Sequence, residues 1–115
     1  MIADDSDAIR LVLKDILSIG NHAVVAEATN GDEAVELFFN QSPDLLLLDL
    51  AMPKKDGMTV LKEIMEKYPH AKVVLITASD DQKIINQCLE IGATLCISKP
   101  FDFNSVLKQI NDALV

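Results

Sequence analysis

Asp44-Leu45-Leu46-Leu47-Leu48-Asp49-Leu50-Ala51-Met52-Pro53-Lys54-Lys55-Asp56-Gly57 is the stretch on which the reading of the chain turns. Four consecutive leucines show neither the period of an amphipathic helix nor the alternation of a half-buried strand. Such a run fits a strand buried on both faces, as in the middle of a parallel sheet. It ends on a carboxylate, Asp49. Pro53 excludes helix just downstream, and Asp56-Gly57 marks a sharp turn in which Gly57 is free to take positive φ. One aspartate is thus left at the carboxyl end of a buried strand, where open α/β sheets place their ligand chemistry.

The same grammar extends in both directions. Upstream, Met1-Ile2-Ala3 is a short first strand, and Ser6 can cap a helix with Ile9, Val12, Leu13, Ile16 and Leu17 on one face, ending at Gly20. Val24 to Ala28 is a second strand, Asn30-Gly31 a turn, and Ala34, Val35 and Phe38 the buried stripe of the next helix, before Pro43 resets the chain. Downstream, Met58, Leu61, Ile64, Met65 and Tyr68 recur at helical spacing until Pro69. Val73-Val74-Leu75-Ile76 is a fourth apolar strand ending in Thr77. Asp80 or Asp81 then begins a helix carrying Ile84, Ile85, Cys88 and Leu89, stopped by Gly92. Leu95-Cys96-Ile97 is the fifth strand, running into Lys99-Pro100, and Phe103, Val106, Leu107, Ile110 and Leu114 stripe the last helix. The pattern is a βα unit five times over, which gives an α/β fold with a parallel sheet covered on both faces.

At 115 residues the chain is expected to be one domain, spanning 1–115 with no output domain. Half of the residues are hydrophobic, which excludes disorder, and a net charge of −8 argues against direct nucleic-acid binding. No basic segment followed by an apolar run opens the chain, and no apolar run has the length of a membrane span, so a cytoplasmic protein is expected. Cys88 and Cys96 are too few for a disulfide framework and lack zinc-ligand spacing. The reading for them is reduced thiols, whose separation the sequence does not fix, with Cys96 filling core.

In a parallel sheet all strand ends share one rim. That rim would hold Asp4 and Asp5 after the first strand, Asp49 after the third, Thr77 after the fourth and Lys99 after the fifth. Three crowded carboxylates repel, so one takes up a proton unless a cation joins them. Mg²⁺ together with Lys99 would balance the three charges, and oxygen ligands suit that ion.

At these residues the chain resembles the receiver domain of two-component response regulators, of the stand-alone chemotaxis-receiver type. Asp4-Asp5-Ser6, Asp49 with Met52-Pro53 and Asp56-Gly57, Thr77-Ala78-Ser79, and Gly92-Ala93 followed by Lys99-Pro100-Phe101 match in order and spacing across essentially the whole chain. The resemblance implies a doubly wound, flavodoxin-like sheet of five parallel strands in the order 2-1-3-4-5. It implies that Asp49 is the nucleophile, taking a phosphoryl group from a phosphohistidine on a sensor histidine kinase or phosphotransfer protein. It further implies Mg²⁺ held by Asp5, Asp49 and the Ala51 carbonyl, with Asp4 acting through water. Lys99 would neutralise phosphoryl oxygens, aimed by a cis Lys99–Pro100 peptide, and Thr77 would bond the new phosphoryl group and pull its loop inward. Such a protein is no enzyme but a phosphoacceptor that assists its own phosphorylation and dephosphorylation. It would signal to a downstream protein through the face of its fourth helix, fifth strand and fifth helix.

Taken singly, each of these residues has a plainer reading: cap acids for Asp4, Asp5 and Asp49, a strand former in Thr77, a solvated charge in Lys99. Those readings do not explain why all five polar groups end strands on one rim. A dehalogenase-type phosphatase needs a second acid two positions after the nucleophile, where Ala51 stands. A mononucleotide binder needs a glycine- or hydroxyl-rich loop where Asp4-Asp5 would repel phosphate. The remaining alternatives are a non-phosphorylated docking module and a receiver piece of a larger regulator. The chain departs from the family in having only three residues before Asp4, and in Cys96 at a place where an aromatic or histidine usually moves with the threonine.

Overall fold

A computed structural model describes residues 1–52, 54–78, 81–99 and 102–114. The expectations for Pro53, Ser79, Asp80, Phe101 and the Lys99–Pro100 peptide lie outside them. Five strands alternate with five helices: β1 (Ile2–Ala3), α1 (Asp7–Ile19), β2 (Glu27–Ala28), α2 (Gly31–Gln41), β3 (Leu46–Asp49), α3 (Gly57–Lys67), β4 (Val73–Thr77), α4 (Gln82–Ile91), β5 (Leu95–Ser98) and α5 (Phe103–Leu114). All pairings are parallel and the order is β2-β1-β3-β4-β5, the doubly wound arrangement expected.

The leucine run is split between two cores. Leu46 and Leu48 face a cluster with Phe38 of α2, Leu61 and Ile64 of α3, and Cys88 of α4. Leu45 and Leu47 face a second cluster with Leu13 and Ile16 of α1 and Val106 and Ile110 of α5. Alternation of side chains across a strand makes β3 the shared wall of both cores, and burying each leucine contributes roughly 2 kcal/mol. Helix starts follow local chemistry. Ser6, Asn30, Asp56 and Asp81 each accept a hydrogen bond from a backbone amide of the first turn.

Several expectations are corrected. Val12 is 42% exposed, because it sits about 100° around α1 from Leu13 and falls off the buried stripe. Ile84 and Leu89 of α4 are also exposed, leaving Cys88 as the buried residue of that helix. The second strand is shorter than Val24 to Ala28. Only Glu27 and Ala28 pair, opposite Ile2 and Ala3, because β1 offers little chain farther back for Val24 and Val25 to join. Gly57 does not take positive φ; the left-handed residue of that turn is Lys54. What glycine provides at position 57 is proximity, since a Cβ there would stand 2.5 Å from the Asp49 carbonyl oxygen. Cys88 and Cys96 are free thiols, and Cys96 packs against the core beside α2 to α4 as expected.

Candidate functional site

The turn after β1 brings in two acids. Asp4 is buried, and every polar atom it owns is engaged: its amide donates to the Ala28 carbonyl (3.0 Å), its Oδ1 accepts from the Ser6 amide (2.8 Å), its Oδ2 lies 3.3 Å from Lys99 Nζ, and its carbonyl accepts from Arg10 Nη1 (2.7 Å). Asp5, one residue on, is exposed. Strand β3 delivers Asp49, 5% exposed, whose Oδ1 accepts from the Ala51 amide at 3.3 Å. Backbone bonds from Leu50 to Ile76 (3.4 Å) and from Gly57 to Leu50 (3.0 Å) hold the chain just past it. Lys99, after β5, reaches back over the sheet to 3.7 Å from Asp49 as well as to Asp4. Thr77 ends β4, buried, and its carbonyl accepts from the Lys99 amide at 2.7 Å.

Side-chain oxygens of Asp4, Asp5 and Asp49 lie within 4.8 Å of one another. Burial pushes the Asp49 carboxyl above the ordinary aspartate range and the charge of Asp4 pushes it further. The Ala51 amide and Lys99 pull it back, and Asp5 adds a smaller push upward. One ammonium against three carboxylates leaves a net negative pocket. The donors are all oxygens, converge from two turns, and carry more charge than Lys99 cancels, so the set fits a hard divalent cation such as Mg²⁺. Beside Asp49 a shallow pocket of about 320 Å³ is lined by Leu50, Ala51, Asp56, Met58, Thr77, Ala78 and Ile84.

The structure therefore brings Asp4, Asp5, Asp49 and Lys99 together, with Thr77 and Ala51 on the same rim. Sequence reasoning passed over Arg10. Its side chain, 12% exposed, also donates through Nε to Glu27 (3.3 Å) and pairs with Asp7. The Asp7/Arg10 spacing was a legible helix pair, but the bond to Asp4 was not. Burial also raises the thiols of Cys88 and Cys96 above their ordinary range, which disfavours thiolate chemistry.

Comparison with known proteins agrees with this geometry. The family model for the response regulator receiver domain matches residues 1–111. The chain is 40% identical to the chemotaxis protein CheY of Bacillus subtilis over 114 residues, covering 99% of this chain and 95% of that protein. It is 37% identical to CheY of Thermotoga maritima, covering 96% and 92% respectively. Among solved structures, a chain of the CheX-CheY-BeF3-Mg²⁺ complex from Borrelia burgdorferi superposes with a TM-score of 0.95 at 35% identity, covering 99% of this chain and 87% of that one. With the five-stranded order, the acid cluster and a family match over nearly its whole length, this chain belongs to the response regulator receiver domain family.

Proposed function

We propose that this receiver is a phosphorylation-activated switch of a two-component phosphorelay in which Asp49 accepts the phosphoryl group of a phosphohistidine. An Asp49 carboxylate oxygen attacks phosphorus, the phosphorus–nitrogen bond breaks, and the leaving imidazole of the kinase or phosphotransfer protein keeps the electron pair and takes a proton. Mg²⁺, held by Asp5, Asp49 and the Ala51 carbonyl with Asp4 acting through water, would supply charge neutralisation and alignment of the phosphoryl oxygens. Lys99, already placed between Asp4 and Asp49, holds the second positive charge there. On phosphorylation the Lys99 ammonium passes from the Asp49 carboxylate to the new phosphoryl oxygens. The Thr77 hydroxyl then donates to a phosphoryl oxygen and draws the segment after β4 toward the site.

The message leaves by α4, β5 and α5. The outward-facing Ile84 and Leu89 favour α4 as part of a protein-docking face. The chain itself is a phosphoacceptor rather than a turnover enzyme, and works in the cytoplasm as one domain over 1–115. Among the described residues no helix is long and apolar enough to cross a membrane. The stand-alone reading follows the CheY relatives, which the chain nearly spans. The alternative, a receiver within a larger regulator, follows the Archaeoglobus fulgidus protein-glutamate methylesterase, of which it spans 33%.

The observation that carries the proposal is the convergence of the Asp4, Asp5 and Asp49 carboxylates, with Lys99 paired to Asp4 and Asp49. Fluoroberyllate, the phosphoryl analogue in the B. burgdorferi complex, provides the test. With Mg²⁺ it is expected to shift the amide resonances of Ala51, Thr77 and Lys99 in the parent and not in Asp49→Asn. Equal shifts in both proteins, or none in the parent, would contradict the proposal.

A further inference from the structure

Asp5 differs from its two companions in how it is held. Asp4 and Asp49 are buried and hydrogen-bonded, whereas Asp5 is exposed and, among the described residues, no hydrogen bond holds its carboxylate. Its aim therefore depends on the backbone, and above all on the peptide plane joining Asp4 to Asp5. The carbonyl of that plane is the group that accepts 2.7 Å from Arg10 Nη1.

Arg10 is itself fixed from two further directions. Nε donates to Glu27 Oε1 of β2 at 3.3 Å, and Nη2 pairs with Asp7 in the first turn of α1. Lys14 Nζ lies 3.4 Å from the other oxygen of Glu27 and steadies that carboxylate. A planar guanidinium can serve three acceptors at fixed angles, which a lysine ammonium on a flexible stem cannot do as well. The edge of the sheet, the start of α1 and the Asp4–Asp5 peptide are thus tied to one rigid group.

We infer that Arg10 is a positioning residue, held by Glu27, that sets the Asp4–Asp5 peptide so that the Asp5 carboxylate converges with Asp4 and Asp49 on a divalent cation. This rests on the metal reading given above. It has a sign that plain electrostatics does not share, because deleting a nearby positive charge should tighten cation binding, whereas loosening a ligand should weaken it.

The test is Mg²⁺ titration by calorimetry of the parent, Arg10→Gln, Arg10→Lys, Glu27→Gln and Asp5→Asn, each first melted to show that it folds. In the metal-free state, amide exchange at Asp5 and Ser6 gives a second readout. Arg10→Gln is expected to weaken Mg²⁺ on the order of tenfold, the scale on which residues that orient metal ligands act. Arg10→Lys should weaken it in the same direction despite keeping the charge, and Glu27→Gln by less. In both Arg10 variants the Asp5 and Ser6 amides should exchange faster. In an Asp5→Asn background, adding Arg10→Gln should change affinity by no more than about twofold, since residues acting through one another are not additive. Unchanged or tighter binding in Arg10→Gln, or the full loss persisting without the Asp5 carboxylate, would overturn the inference while leaving the metal site intact. A parent that binds no Mg²⁺, or an Asp5→Asn variant that binds as well as the parent, would overturn the metal reading and this inference with it.

Discussion

Asp49 carries the cost of the site. It is a titratable carboxyl kept 5% exposed beside a second buried acid, and burial with the charge of Asp4 holds it above the ordinary 3.8. The native state therefore holds that proton more tightly than the unfolded chain does. Stability from this group is present in acid and is lost as pH rises from the ordinary value through the raised one. Without divalent metal, Asp49→Asn should accordingly melt above the parent at neutral pH, with the gap closing as pH falls below the ordinary carboxyl value. Adding Mg²⁺ should narrow the gap by stabilising the parent. Melting curves in which the metal-free parent is the more stable protein at neutral pH would contradict this account. At this scale Asp4, Asp5, Asp49 and Lys99 were legible because each directly follows an apolar strand, and strand ends in a parallel sheet must share a rim. Arg10 was not, because its bond to Asp4 depends on Glu27 standing on the neighbouring strand, 17 residues farther along the chain.

The segment from β3 into α3 positions Asp49 by close packing. Gly57 begins α3 against the Asp49 carbonyl, and Gly31 lets α2 start against Lys55, whose ammonium reaches Glu63 at 2.6 Å and Asp32 at 3.6 Å. Backbone atoms on both sides leave no room to yield. Gly57→Ala is therefore expected to destabilise by about 2 kcal/mol, the usual cost of overpacking, and to slow phosphorylation by shifting Asp49. Chemical denaturation would check the first effect, and wild-type stability in that variant would show that the approach is not tight. The sequence pattern announced a turn at Gly57, but positive φ and close approach leave the same residue, and only coordinates distinguish them. Helix stripes were likewise legible on average and wrong at their margins. Val12, Ile84 and Leu89 are apolar at near-helical spacing yet face outward, because which edge of a wide stripe is covered depends on the neighbouring helix. The β2 strand was overextended for the corresponding reason, since pairing needs a partner and Val24 and Val25 have little of β1 beside them.

For the molecule as a whole, five repeated βα units and a right-handed crossover rule lead to a covered parallel sheet from pattern alone. The order β2-β1-β3-β4-β5 came from the family resemblance and is what the structure shows. That order sets β1 beside β3, so the acids of two turns distant in sequence meet, and it places β4 and β5 next to them with Thr77 and Lys99. The topology thus makes Asp49 the buried acid that ends the central strand, set among two further carboxylates and Lys99. The most direct test of that claim is intact mass after incubation with acetyl phosphate and Mg²⁺. A single phosphoryl adduct is expected, one that requires divalent metal and is lost in Asp49→Asn. An adduct that forms equally well without metal, or that survives the substitution, would contradict that claim.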